Sequence, residues 1–220
     1  MKFGPMRFFQ FLIISLLFLL VSCDENTTEP KVNYGYEYAP LSLGLVQNFV
    51  ADTIVVDDFT GKMDTSSTWF KDSVISLVGN EFTLLRKKSV DSFLTVSSSL
   101  LFRVEKNETQ LITALQNQSL INLIFPNPVN ASWDGNLYNS NSKATFQIVK
   151  KHASYNHLET NVSNVLEVNQ LEEINLIEEQ IINEFYAPNM GLLLREETFW
   201  EKDIQSGKIV GGYKIIVSRI

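Results

Sequence analysis

Stretch after stretch of this chain alternates apolar and polar side chains with a period of two, and that alternation restricts it to a sheet. In Phe93 to Val104, Leu94, Val96, Leu100, Phe102 and Val104 share one parity, while Thr95, Ser97, Ser99 and Arg103 hold the other. Successive strand side chains point to opposite faces, so one face of this run lies on a core and the other in water. Lys208 to Ser218 repeats the pattern, with Ile209, Tyr213, Ile215 and Val217 on one side and Lys208, Lys214 and Ser218 on the other. Lys143 to Lys151 follows it more weakly through Ala144, Phe146 and Ile148. Further strands are expected over Val46 to Val56, Thr68 to Val78, Phe82 to Val90, Thr109 to Leu115, Leu120 to Phe125, Val162 to Val168 and Leu192 to Trp200.

Turn chemistry falls between these runs. Asp57-Asp58-Phe59-Thr60-Gly61, Gly79-Asn80, Lys106-Asn107-Glu108 and Gln205-Ser206-Gly207 are short, polar and able to take positive φ. Pro126 and Pro128 lack an N–H, so Phe125-Pro126-Asn127-Pro128 cannot continue a paired central strand. With Asn136 to Ser142 it makes the longest irregular loop, and no repeat of fixed period is present. Many short strands with hairpin turns at near-regular spacing imply a mainly β domain: a single antiparallel sheet, strongly curved or barrel-like. One segment departs from this. In Leu171 to Tyr186, Leu171, Ile174, Glu178, Ile181 and Phe185 keep helical spacing, which fits one short amphipathic helix followed by a strand. Ile181 to Tyr186 reads equally as a strand leading into Ala187-Pro188.

The N-terminus fixes location. Lys2 and Arg7 lie in a short head, Phe8 to Val21 is almost unbroken apolar sequence, and Ser22 precedes the only cysteine, Cys23. A charged head, an apolar segment and a small-residue exit form a secretory signal. The run is too short for a transmembrane anchor, which needs roughly 20 apolar residues. Leu20-Val21-Ser22-Cys23 resembles the lipobox of a bacterial lipoprotein at all four positions, which implies cleavage before Cys23 and acyl chains such as palmitate on it. Each buried methylene contributes about 0.8 kcal/mol, so several such chains would hold the protein on a membrane essentially permanently. The expected domains are a signal peptide over 1–22, an acidic polar tether over 23–33 and one β-rich domain over 34–220. The tether carries Asp24 and Glu25 directly behind the cysteine. In Bacteroidota lipoproteins such acids resemble a signal for export to the cell surface; a solvated acidic linker is the alternative.

Two of the 18 basic residues and none of the 25 acidic ones lie in residues 1–22, which leaves the mature chain at 16 against 25. An acidic body has no electrostatic footprint for phosphate backbones, which argues against nucleic acid as a partner. It argues equally against a polybasic membrane-binding face, so membrane contact is expected through lipidated Cys23.

Three blocks carry a family resemblance. They are Tyr38-Ala39-Pro40-Leu41-Ser42-Leu43-Gly44 with Asp52 to Asp57, then Ile124-Phe125-Pro126 with Ser132-Trp133-Asp134-Gly135-Asn136, then Tyr186-Ala187-Pro188-Asn189-Met190-Gly191-Leu192. In that order they resemble a group of Bacteroidota surface or outer-membrane lipoproteins. Those open with a Pro-Leu-x-x-Gly step into a first long strand and close with a Tyr-Ala-x-x-x-Gly step into the last hairpin. This chain departs by delaying the aromatic after Gly44 to Phe49, and by placing Asn189 where a second glycine is usual. The resemblance implies location and architecture and brings no activity with it. Gly44 and Gly191 are expected to serve backbone geometry.

Candidate chemistry is sparse. His152 and His157 are the only histidines, five apart with Glu159 nearby, and a zinc site needs three or four ligands in fixed geometry. No metal and no cofactor are expected. No Gly-x-Ser-x-Gly elbow marks an activated serine. Glu172-Glu173, Glu178-Glu179 and Glu196-Glu197 are adjacent acids, and adjacent strand residues point to opposite sides. No catalytic residue is assigned, and the chain is not expected to be an enzyme. Trp133 is either a stacking platform for a sugar or partner side chain, or an indole folded back over the open end of the sheet. Asp52-Thr53-Ile54 and Asp72-Ser73-Val74 resemble the Asp-Ser/Thr-aliphatic O-glycosylation motif of Bacteroidota, which marks Thr53 and Ser73. The expectation is a lipid-anchored outer-membrane lipoprotein that binds or supports an envelope protein or glycan. The alternative is a carrier of a lipid or other apolar ligand inside a curved sheet, on the surface or in the periplasm, and an envelope hydrolase ranks below both.

Overall fold

The computed structural model describes residues 33–220, Leu94 excepted. The signal segment, Cys23, Asp24 and Glu25 therefore lie outside the described residues. A 3-10 turn, Tyr36–Tyr38, precedes twelve strands: β1 (Val46–Val56), β2 (Met63–Val78), β3 (Glu81–Ser89), β4 (Val96–Lys106), β5 (Gln110–Leu115), β6 (Gln118–Ile124), β7 (Ser132–Asp134), β8 (Thr145–His157), β9 (Thr160–Ile174), β10 (Glu178–Ala187), β11 (Gly191–Lys202) and β12 (Ile209–Arg219). All belong to one antiparallel sheet in the order β6-β5-β4-β3-β2-β1-β12-β11-β10-β9-β8-β7. Apart from β6 and β7, each strand pairs its sequence neighbours, and β12 returns to pair β1, so the meander closes almost completely into a barrel.

The seam lies between β6 and β7, where the Pro126 and Pro128 connection interrupts pairing. Two bonds on one residue bridge it: the Ile121 N–H donates to Gly135 O at 2.9 Å, and Ile121 O accepts the Trp133 indole N–H at 2.8 Å. The Asn139 amide adds a third by donating to Ser119 O at 2.8 Å. Register shifts interrupt seven of the eleven strand pairings, for example at Val74/Ser76, Ile148/Lys150 and Ile182/Asn183. Each bulge bends a strand and increases its twist, which is how a meander of this length is curled.

The concave face carries the main core. Val74, Leu84, Val104, Leu111, Leu123, Ile148, Leu166 and Tyr186, from eight different strands, surround Tyr38 and Ala39 of the N-terminal turn. Tyr38 is 1% exposed, and its hydroxyl donates to Asn164 O at 2.6 Å. The N-terminal segment thus fills one end of the barrel. A second cluster, with Val165, Phe185, Leu193 and Leu194, includes the chain neighbours of Leu166 and Tyr186 and lies on the opposite face. The end of the β8–β9 hairpin brings Tyr155 and Val162 onto it, and the Tyr155 and Phe185 rings approach to 5.1 Å.

Parity in β4 holds from Leu100 onward, whereas Val96, expected on the core face, is exposed. Leu100 and Phe102 are half-buried and Val104 buried, while Leu101, Arg103 and Glu105 are exposed. The strand starts later than its alternation predicts, because Ser92 and Phe93 adopt positive φ in a turn. In β12, Ser218 was expected to be wet and is 7% exposed instead. It sits opposite Leu194, beside the face that the β8–β9 hairpin covers.

The helix expected within Leu171 to Tyr186 is absent. β9 continues to Ile174, Asn175 to Ile177 form a turn, and β10 begins at Glu178. The Asn175 side-chain oxygen accepts the N–H groups of Ile177 and Glu178, the mechanism by which asparagine replaces a backbone turn. A turn followed by the shift at Ile182/Asn183 breaks the period of two and leaves a spacing that imitates a helix.

Candidate functional site

Charged residues set into apolar strands place an ionic network inside the barrel. Glu184 of β10 and Arg195 of β11 are cross-strand partners on the face that bears Tyr186, and the guanidinium lies 2.6 Å from Glu184 Oε1. Arg195 also donates to Gln170 at 2.9 Å and to Glu197 at 3.1 Å. The Tyr186 hydroxyl donates to Glu184 at 2.5 Å, and the Tyr213 hydroxyl to Glu197 at 2.8 Å. Burial, reinforced by the Glu184 charge, pushes the Tyr186 hydroxyl well above the ordinary tyrosine range, so it stays protonated and donates. Burial works against the Arg195 charge, but Glu184 and Glu197 outweigh it and its pKa rises. A second inward pair, Asp72 and Arg86, is bidentate at 2.7 and 2.6 Å, with Arg86 also against the Phe70 and Phe102 rings.

The rim opposite the N-terminal turn carries a groove of about 420 Å³ between the β1–β2 and β11–β12 hairpins. Val55, Phe59, Phe199 and Tyr213 supply its apolar lining, and Asp57, Asp58 and Glu201 its charges. The two hairpin turns are built alike, as Asp57-x-x-Thr60-Gly61-Lys62 and Asp203-x-x-Ser206-Gly207-Lys208. In each, the aspartate oxygen accepts the N–H and the hydroxyl of the residue three positions on, at 2.7 to 2.8 Å. The glycine then takes a positive φ, 64° and 67°. Those hydroxyl and backbone donors hold the Asp57 and Asp203 carboxyls below the usual carboxylate range. A second open groove, of about 530 Å³, lies over Phe102, Arg103, Gln116 and Asn117.

The sequence-derived candidates fall in several places. Thr53 is half-buried in mid-strand between Ser66 and Ile215, and Ser73 is half-buried between Val46 and Leu85. Trp133 is half-buried edge-on to Phe146, with its N–H engaged at the seam. His152 contacts Glu167 at 2.6 Å, whereas the His157 Nε2–H donates to Arg219 O at 2.9 Å, so the two histidines serve different contacts. Among the described residues no group of three or more acidic, histidine or cysteine side chains is placed to hold a metal ion. Glu196 and Glu197 do diverge: Glu197 joins the inner network, and Glu196 lies 3.9 Å from Lys214.

Parts of the three sequence blocks that carried the family resemblance, with their chain neighbours, meet at the N-terminal rim, while Asp57 lies at the opposite one. Asn189 N–H donates to Glu37 O, the Gln47 amide donates to Met190 O, and the Asn127 amide donates to Gly35 O. Gly44 and Gly191 take φ of 82° and 79°, and Asn189, at the position usually held by glycine, takes 60°. The inner ionic network was not anticipated. Its only sequence signal is a charge inside an apolar run, as in Asn183-Glu184-Phe185 and Leu194-Arg195.

No protein-family model matches the chain. No curated protein matches it either. Among solved structures, it is similar to a protein described as exported, with a YmcC-like fold, from Bacteroides fragilis, at 10% identity and a TM-score of 0.44, over 82% of this chain and 97% of that one. It is also similar to a protein described as a lipoprotein from Parabacteroides distasonis, at 12% identity and a TM-score of 0.42, over 83% of this chain and 96% of that one.

Proposed function

We propose that this chain is a lipid-anchored protein of the outer membrane whose β domain acts by binding or as a structural element, not by catalysis. The observation that carries the second half is how the barrel interior is occupied. Its apolar end holds Tyr38 and Ala39 of the protein's own N-terminal segment. Its inward charges engage one another, with Glu184, Arg195, Glu197 and Tyr213 joined in one chain of hydrogen bonds. That arrangement supports a filled scaffold over a reaction site, where a reacting group must be left to meet substrate. It also disfavours a lipid carrier, since the apolar part of the interior is taken. The anchor rests on Leu20-Val21-Ser22-Cys23. Cys23→Ala should release the protein from the outer-membrane fraction, and wild-type recovery there overturns the reading. Asp24-Glu25 behind the anchor supports display on the cell surface, which protease added to intact cells tests. Full protection until the outer membrane is opened would place the domain in the periplasm.

A further inference from the structure

Three hairpins adjacent in the sheet end at the rim opposite the N-terminal turn: β1–β2, β11–β12 and β9–β10. Each lifts a large apolar side chain into solvent. Phe59 is 98% exposed, Leu176 75% and Ile204 65%. Single exposed apolar residues are ordinary, but a row on neighbouring tips marks an interaction surface. The tips are held in shape by Asp57, Asn175 and Asp203, whose side-chain oxygens accept the backbone N–H groups of their own turns. A partner therefore meets a preformed surface and need not order it.

The chemistry of the groove beside Phe59 selects the partner. A Cβ added at Gly211 would stand 2.2 Å from Asp58 Oδ1 and 3.5 Å from Glu201 Oε2, so both carboxylates reach over the same glycine. Neither has a hydrogen-bond or ion-pair partner among the described residues, and no lysine or arginine lines the groove. Two unneutralised carboxylates over a bare backbone, walled by Phe199 and Tyr213, form a seat for a cation on an apolar stem. Residues 57–62, 172–179 and 201–208 together hold eight acidic and three basic side chains. An anionic lipid surface is repelled by that excess, whereas a basic protein surface is drawn to it.

We propose that this rim docks a partner protein through a segment of lysine or arginine side chains interleaved with apolar ones. The cation sits between Asp58 and Glu201, and its apolar neighbours lie against Phe59, Phe199 and Tyr213. The inference rests on the binding role proposed above and not on the anchor.

The test uses the lipidated full chain in mild detergent and a fluorescein-labelled peptide of alternating lysine and leucine, read by anisotropy. The wild type should bind it, and a peptide of alternating glutamate and leucine should not bind. Asp58→Asn with Glu201→Gln, Phe59→Ser, and Gly211→Ala (which displaces Asp58) should each weaken binding about tenfold or more. Unchanged circular dichroism and melting would show that these surface variants fold. No binding of the lysine peptide, or equal binding by all variants, overturns the proposal, because the peptide then finds no seat or adheres elsewhere on the acidic body. Neutral phosphatidylcholine vesicles that bind through Phe59, with peptide binding indifferent to it, overturn it in favour of a lipid-facing rim. Failure of the peptide arm while Cys23→Ala still frees the protein from the membrane refutes the rim alone.

Discussion

Replacing Arg195 with methionine keeps most of the side chain's length and removes only the guanidinium. Glu184, 4% exposed, would then keep a charge whose nearest cation, at 2.6 Å, is gone, with the Tyr186 hydroxyl as its remaining partner. Breaking a buried pair from one side costs about 3–5 kcal/mol, because the other charge stays desolvated and uncompensated. In a domain of this size each kcal/mol lowers the melting temperature by roughly 2–4 °C, so a drop of about 6–20 °C is expected. Arg195→Met combined with Glu184→Gln removes both charges and should cost at least about 1.5 kcal/mol less than the two single costs added, a coupling in the range measured for contacting residues. Urea melts of the wild type, both single variants and the double variant supply the cycle. A single-variant cost below about 1 kcal/mol, or a double variant as unstable as the two costs added, would show that the network is solvent-screened and does not hold the barrel interior.

Phe102→Asp puts a charge against the concave core and should cost several kcal/mol, whereas Arg103→Asp, on a side chain 62% exposed, should cost under about 1 kcal/mol; equal melting temperatures would contradict the inward direction of Phe102. Trp133→Phe keeps a ring against Phe146 but leaves Ile121 O without its indole donor, so a loss of about 1 kcal/mol is expected, and amide exchange should rise at Ile121 on the seam. The folded-state pKa of the Asp57 and Asp203 carboxyls is lowered from 3.8, so their contribution is complete above that value and fades as pH falls through the lower folded one. The amides of Thr60 and Ser206 should stay protected at about pH 5 and exchange faster only below the unfolded value; loosening already at about pH 5 would contradict the turn bonding.

Local patterning made much of the sheet legible. Val46–Val56 could be bounded from the sequence because Gly44 stands before it, the polar turn Asp57 to Gly61 follows it, and its side chains fit one strand without a bulge. Leu171 to Tyr186 was misleading because Asn175 supplies a turn through its side chain and a bulge follows, and neither changes the apolar count. The N-terminal turn was missed for another reason. Tyr38 and Ala39 are buried by residues from eight distant strands, and nothing in Tyr36-Glu37-Tyr38 itself encodes that insertion. The rim groove depends on Asp58 and Glu201 meeting over Gly211, positions brought together only by the return of β12 to β1. Its turn chemistry was readable in Asp57-Asp58-Phe59-Thr60-Gly61, but its neighbour Asp203-Ile204-Gln205-Ser206-Gly207 becomes a partner only in the closed sheet.

Lipidation at Cys23 is the claim on which the proposed location depends. Intact-mass spectrometry of the protein purified from the outer-membrane fraction tests it most directly. The expected result is a chain beginning at Cys23 with the added mass of acyl groups on that residue. A chain that still begins at Met1, or one that begins at Cys23 with no added mass, would contradict the account.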